Sequence, residues 1–511
     1  MPGIAAVVPA AVRLSPLHAD PDVRAGGRIV DARGREVLLR GVNVNSLAEY
    51  WRGGAFRTVF PLARKDPGRM AAIGWNAVRL LVSWSRVEPE SGRYDRGYLN
   101  LVAATVRRLS SQGIYTIVDL HQDAWGPALA ARPGEACEPP ALPAVGWDGA
   151  PAWATLDGGA ARCVPQGTRE LSPAVRTAWQ AFFENAAGPG GVGIQTRYLR
   201  MLRVVARRFA RSTGVAGIDV MNEPNAIGDA QQAALSGFYG RALDQIRAGE
   251  RAGRGRRHLV LFEPSVLWSA FGNGAPPDFD RDRDVVYAPH VYTGGFTNGP
   301  ITRAAFATAR REAERFGGAP VLSGEWGADP RRAGKPADRY FIRHQAFQDA
   351  YRISATLWTW RESCGDPHKV AEVRQGTPVP QVWGLFQVDC RTNRVTRLRR
   401  VLMGELTRAY VRAAPGRLTG TRYTSSGVLI ASGRARRADG PLVAFLPLAR
   451  PSPAGGRDQY LPADCVSVRA CLRIRSRGLR GLRLVRGPGK SRYVVARPSG
   501  GPWSLRVGSA Q

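Results

Sequence analysis

Gly217-Ile218-Asp219-Val220-Met221-Asn222-Glu223-Pro224 decides the reading of this 511-residue chain. A short apolar strand runs into a rigid Asn-Glu-Pro corner. Further along, Val321-Leu322-Ser323-Gly324-Glu325-Trp326-Gly327 repeats the device: another apolar strand ends in a carboxylate. Working outward, the same pattern recurs in both directions. Gly41 to Val44, Asn76 to Val82 and Tyr115 to Leu120 read as strands one to three. Strand four begins at Gly217, His258 to Phe262 is strand five, and Val285 to Ala288 is strand six. Pro320 to Ser323 is strand seven and Ala355 to Trp360 strand eight. Stretches with helical apolar spacing lie between them, as at Tyr98 to Ser111 and Thr196 to Ala210. Eight strands alternating with helices predict an α/β fold, the (β/α)8 barrel, whose site is built at the strand C-termini.

Those ends are polar. Strand two carries Arg79, strand three ends in His121-Gln122-Asp123, and strand four in Asn222 and Glu223. Strand six ends in His290 and Tyr292, strand seven in Glu325, and strand eight in Trp358 and Trp360. Any one of these residues alone reads more simply as a satisfied polar or core position. Their gathering at one end of the barrel is the signal. Two carboxyl groups facing one bond suit glycosidic cleavage: one protonates the leaving oxygen while the other attacks the anomeric carbon, at a separation of ~5–5.5 Å. Arg79 would keep the attacking carboxylate ionised, and Tyr292 would hold it. Asn222 would grip a sugar hydroxyl, and an aromatic face such as Trp360 would floor a pyranose ring. No metal or cofactor is signalled.

Beyond about Gly416 the alternation gives way to short β-type stretches separated by turn residues, which predicts a small antiparallel β-sandwich. The expected organisation is a flexible terminus or signal remnant over 1–25, the barrel over 26–412 and the sandwich over 413–511. The segment 123–190 is a long loop rich in Gly, Pro, Ala and Trp, and loops of that length are usually functional. No run of ~18 apolar residues, the length a membrane helix needs, is present.

The net charge is +32, and the only lysines are Lys65, Lys335, Lys369 and Lys490. The arginines are scattered rather than gathered into a stripe, so nucleic-acid binding is not expected. A cationic surface would still attract anionic membrane headgroups. Six cysteines fall into sequence-near pairs, Cys137 with Cys163, Cys364 with Cys390 and Cys465 with Cys471, without zinc-ligand spacing. Three disulfides in a secreted, extracellular bacterial protein are expected.

The strings NAVRL, DLHQD, VMNEPN, PHVY, SGEWG and LWTW resemble glycoside hydrolase family 5. Within it, GVNVNS, VSWSRVEPESGRYDRGYL, DLHQDAWG and WGLFQVD are similar to the endoglycoceramidase branch. The resemblance implies Glu223 as acid/base and Glu325 as nucleophile. Arg79, His121, Asn222, His290, Tyr292 and Trp360 match site positions of the family, and Asp123 matches a sugar-contacting aspartate of the branch. Glu49 stands where the branch places a lysine near the first sugar, and the 123–190 loop is the candidate lining of an apolar lipid groove. The implied activity is retaining cleavage between a sugar and ceramide; separately, a monomer is expected. A lipid β-glucosidase and a family 5 endo-β-glucanase remain open alternatives.

Overall fold

The computed structural model describes residues 10, 12–165, 168–447, 450, 451, 457, 458 and 472–509. The barrel strands, numbered here in chain order, are Arg40–Val44 (β1), Ala77–Ser83 (β2), Tyr115–His121 (β3), Val215–Asp219 (β4), Leu259–Phe262 (β5), Val285–Tyr287 (β6), Leu322–Trp326 (β7) and Ser354–Leu357 (β8). They pair in parallel in the order β6-β5-β4-β3-β2-β1-β8-β7. The ring closes where Tyr287 bridges to Val321 and its amide donates to the Pro320 carbonyl at 3.0 Å. Every residue of the eight strands is buried, as parallel strands covered on both faces require. The helices supply the outer cover. In Ile194–Phe209 the residues Ile194, Tyr198, Met201, Leu202, Val205 and Phe209 are buried at spacings of three and four, one face of an α-helix.

The base of the barrel is closed by a seven-stranded antiparallel sheet, and its membership corrects the expected boundaries. Leu17–Asp20, Arg28–Asp31 and Arg35–Val37 pair in turn and join Tyr410–Pro415, Leu442–Leu446, Arg492–Pro498 and Leu479–Arg486. Residues 17–20 are therefore a strand, not part of a flexible terminus, and 28–37 belong to the sheet rather than to the barrel. The cause is apolar: Leu17, Ala19, Ile29 and Val37 pack with Tyr115, Ala216, Leu259 and Leu322 at the barrel's base.

Alternation along Leu442–Leu446 shows how the sheet serves two cores. Val443 and Phe445 face the barrel, while Leu442, Ala444 and Leu446 face a second sheet of Arg417–Tyr423, Leu429–Ala435, Gly501–Ser509 and Leu472–Arg477. The two sheets form the C-terminal sandwich.

Among the described residues two disulfides are present, Cys137–Cys163 and Cys364–Cys390. Cys465 and Cys471, the third expected pair, lie outside the described residues, as do residues 1–9 and 11 of the expected flexible terminus or signal remnant.

Candidate active site

Arg79, on β2, is fully buried at the centre of a polar layer near the strand C-termini. Its Nε donates to Asp219 Oδ2 at 2.9 Å and its Nη1 to Glu325 Oε1 at 2.9 Å. Nη2 donates to Asn222 Oδ1 at 2.9 Å and Glu263 Oε1 at 2.8 Å, and Asp119 Oδ1 lies 2.9 Å away. Burial opposes the charge, but Asp119, Asp219, Glu263 and Glu325 hold the guanidinium well above its ordinary value.

Glu325 is gripped at both oxygens: Oε1 by Arg79, and Oε2 by the Tyr292 hydroxyl, which donates at 2.8 Å. Burial pushes its carboxyl up; His290 and Arg79 oppose that, and Glu223 adds to it.

Glu223 sits at φ +37°, where a residue with a side chain is rarely found. Its amide donates to Glu263 Oε2 at 2.8 Å and its carbonyl accepts from Gln122 Nε2 at 2.9 Å, which fix the corner. Its Oε1 accepts from the Ser269 hydroxyl and lies 2.8 Å from His290 Nδ1. Burial pushes the Glu223 carboxyl up, but His290 and Ser269 bring it below its ordinary value. Burial disfavours the His290 imidazolium, yet Glu263, Glu325 and Glu223 raise it well above the usual histidine range. The Glu223–His290 pair thus holds one transferable proton. Its exit is Glu223, the member of the pair that lines the cavity.

His290 Nδ1 is 3.8 Å from Glu325 Oε2 and 2.8 Å from Glu223 Oε1. Only if the three atoms stood in line would those oxygens reach the ~6.5 Å at which inverting geometry begins. The spacing suits the retaining mechanism.

The cavity above these groups measures about 640 Å³ and has two unlike sides. Polar groups gather on one: Asp123, Arg169, Glu362, His368 and Lys369. Arg169 Nη2 donates to Asp123 Oδ1 at 2.7 Å, and against the effect of burial Arg169 and His121 hold the Asp123 carboxyl below its ordinary range. Glu362 is pushed by burial up to about 7, with Lys369 opposing. The other side is apolar: Val266, Leu267, Ala270 and Phe271 follow β5, and Phe296 follows β6. Phe271 is 71% exposed and Phe296 57%, unusual for phenylalanine.

A family model for cellulase, glycosyl hydrolase family 5, matches residues 30–363. The chain belongs to glycosyl hydrolase family 5. A crystal structure of an endogalactoceramidase is 34% identical with a TM-score of 0.80, covering 96% of this chain and 99% of that one. Endoglycoceramidase I of Rhodococcus hoagii (strain 103S) is 28% identical over 294 residues, 52% of each protein; the match spans about half that relative's length. A complex of endo-glycoceramidase II from Rhodococcus sp. with ganglioside GM3 shares the fold, with a TM-score of 0.69 at 23% identity.

Of the residues expected in this family 5 site, Glu223, Glu325, His121, Asp123, Tyr292 and Trp358 line the cavity. Arg79, His290 and Asn222 stand behind it. Asn222 spends its carboxamide on the protein: Nδ2 donates to the Gln122 carbonyl at 2.9 Å and Oδ1 accepts from Arg79.

Three expectations are corrected. Trp360 does not floor the cavity. β8 ends at Leu357, and the Trp360 ring packs edge-on against Trp75 at 6.2 Å and Phe386 at 5.2 Å. Trp358 takes the cavity position, stacked 5.8 Å from His121. Glu49 does not line the cavity; its carboxylate accepts from Ser85 Oγ at 3.3 Å and pairs with Arg52 at 3.7 Å. In the catalytic cavity the 123–190 loop supplies mostly polar lining, Asp123, Thr168, Arg169 and Glu170, with Leu171 its one apolar side chain there; the apolar wall comes instead from residues 266–271. Trp125 and Trp179 of the loop are buried, packed into the protein.

Glu263 is absent from the sequence expectations, yet it links Arg79, His290 and the Glu223 amide. Phe262-Glu263-Pro264 carries the same Glu-Pro ending as strand four, a signal available in the sequence. Ser269, Arg169 and His368 lie outside the strands and have no such signal.

Proposed function

We propose that this chain is a retaining β-glycosidase that cleaves the bond between the glycan and the ceramide of a glycosphingolipid. Glu325 attacks the anomeric carbon as the bond to the ceramide oxygen breaks, and Glu223 protonates that oxygen. Water, deprotonated by Glu223, then cleaves the glycosyl–Glu325 ester. The sugar leaves with its configuration retained and both carboxyl groups return to their starting states. Arg79 and Tyr292 hold the attacking carboxylate, and Trp358 offers its face to the ring.

One observation carries the lipid part of this reading. Ser269, the partner of Glu223, lies on the helix Leu267–Phe271, which also supplies the apolar wall. The apolar side is therefore the side on which the acid releases its leaving group. The polar side, with Asp123, is left for the glycan. The exposed Phe271 and Phe296, with Leu171 at 45% exposure, form a rim suited to the edge of a lipid surface. Relatives named for endoglycoceramidase and endogalactoceramidase activity support the same substrate class. The two disulfides fit action outside the cytosol, and no described helix is long and apolar enough to cross a membrane. One chain supplies every group in the scheme, so a monomer suffices for it.

Product analysis tests this on lactosylceramide, glucosylceramide and galactosylceramide in detergent, beside soluble cello-oligosaccharides. Release of an intact glycan and free ceramide is expected. Cleavage of monosaccharide glycolipids alone would make the enzyme a lipid β-glycosidase. Cleavage of the soluble oligosaccharides alone would overturn the lipid reading and leave both glutamates in their roles.

A further inference from the structure

The polar side of the cavity ends in a wall, and beyond it lies a second chamber of about 240 Å³. Arg169, Glu170, His368 and Glu372 border both spaces, so they are the partition between them. At its centre Arg169 Nη1 is 2.6 Å from His368 Nε2. Arg169 comes from the long loop after β3 and His368 from the helix Pro367–Arg374 after β8. The first loop carries the Cys137–Cys163 disulfide six residues before Arg169, and His368 lies inside the segment closed by Cys364–Cys390.

Both side chains are held from behind. Arg169 is tied to Asp123 at 2.7 Å and to Glu170 Oε1 at 2.6 Å, and lies 4.7 Å over the Trp147 ring. His368 is tied through Nδ1 to Asp366 Oδ1 at 2.7 Å and meets Trp147 edge-on at 5.3 Å. An arginine N–H can donate only to an unprotonated Nε2, so the bridge needs a neutral imidazole whose proton sits on Nδ1, facing Asp366. The far chamber mixes an aromatic and aliphatic floor, Trp147 and Val164, with a polar rim of Glu372, Arg374 and Gln375. Sugar sites commonly combine such surfaces, with a few polar groups fixing orientation on an apolar lining.

We propose that the Arg169–His368 bridge sets the length of glycan this enzyme accepts, and that the chamber behind it takes the outer sugar residues once the bridge is open. This rests on the glycosidase reading and on the placing of the glycan on the polar side. With the bridge closed, the glycan must fit between Glu325 and the wall, so short glycans are favoured. His368 touches neither glutamate, but it lines the glycan side and its Nε2 lies 3.8 Å from Asp123 Oδ2, so its removal is read as a ratio between two glycosides, in which a loss common to both cancels.

The test uses soluble 4-nitrophenyl β-glycosides bearing one, two or three sugar residues, so the lipid plays no part in the readout. The quantity measured is kcat/KM on the trisaccharide divided by kcat/KM on the monosaccharide. In His368→Ala this ratio should rise about tenfold or more over wild type, within the range one changed pocket contact produces. Adding Ala371→Trp, which fills the far chamber, should return it to the wild-type value. His368→Ser carries the same prediction should His368→Ala fold poorly. A ratio unchanged in a folded His368 variant, or a raised ratio that survives Ala371→Trp, overturns the proposal. Failure of wild type on all three glycosides would instead count against the glycosidase reading.

Discussion

His290 stands between the two carboxyl groups that matter most, so its protonation should shape the pH dependence of the reaction. Glu325 must be ionised to attack. Burial raises its carboxyl above 4.5, so kcat/KM should climb with pH through a midpoint above that value. The proton to be donated belongs to the Glu223–His290 pair, and the carboxylates around His290 raise it well above 6.5, so the alkaline fall should come well above 6.5. In His290→Asn the donated proton rests on Glu223 alone, and Glu325 loses a cation that lowered it. The bell should narrow from both sides; a profile of unchanged width would refute the shared-proton assignment. The two glutamates separate by leaving group. Glu325→Ala should show no turnover on any substrate while its circular dichroism stays that of wild type. Glu223→Gln should lose ~10²–10⁴-fold on glycolipid yet keep much of its glycosylation rate on a dinitrophenyl glycoside, whose leaving group needs no proton. Pre-steady-state bursts of phenolate measure that step directly, and equal losses on both substrates would remove Glu223 from the acid role.

At the scale of elements, β7 and the helix Leu267–Phe271 each make a distinct demand. Gly324 on β7 has no room for a side chain, since a Cβ there would lie 2.7 Å from His290 Nε2. Gly324→Ala should displace the imidazole and cost up to ~10²-fold in kcat, the scale of a misplaced catalytic group. Its melting temperature should move far less than its rate. On the helix, Phe271→Asp should raise KM for micellar glycolipid and leave the constants on an aryl glycoside alone; parallel losses on both would detach the helix from the lipid. These elements also mark how far the sequence can be read. β4 and β7 were legible because buried parallel strands are apolar runs, and their ends are punctuated by Glu-Pro and Gly. Trp358 and Trp360 are two residues apart and would share a face in a continued strand, so periodicity alone could not choose between them; β8 stops at Leu357 and the chain turns Trp360 away. Arg169 and His368 lie in long connections without any period, and only the closed barrel brings residues so distant in sequence within 2.6 Å.

For the whole molecule, the barrel and the sandwich share a surface that neither can leave exposed. Phe445 is fully buried against the barrel's base, and a Cβ on Gly74 would come within 2.3 Å of its ring. Tyr410, from the neighbouring strand, donates its hydroxyl to the Gly74 carbonyl at 2.7 Å. The strands Leu17–Asp20, Arg28–Asp31 and Arg35–Val37, which precede the barrel in sequence, extend the same sheet as strands that follow it, so segments from either side of the barrel seal one barrel end. This pairing was not legible in sequence, because strand patterning shows which face is apolar but not which distant strand lies alongside. It follows that the two units should melt together. Phe445→Ala removes a large side chain from a site with no solvent to fill it, and should cost ~3–5 kcal/mol. In calorimetry the loss should appear as one transition moving to lower temperature, with catalytic activity disappearing along the same curve. Deleting residues 413–511 strips Val443, Phe445, Tyr493 and Val495 from the barrel base and should yield an aggregating protein rather than a smaller enzyme. Two separate transitions, with only the lower one shifted by Phe445→Ala and activity following the upper, would show that the barrel holds its fold without the sheet beneath it.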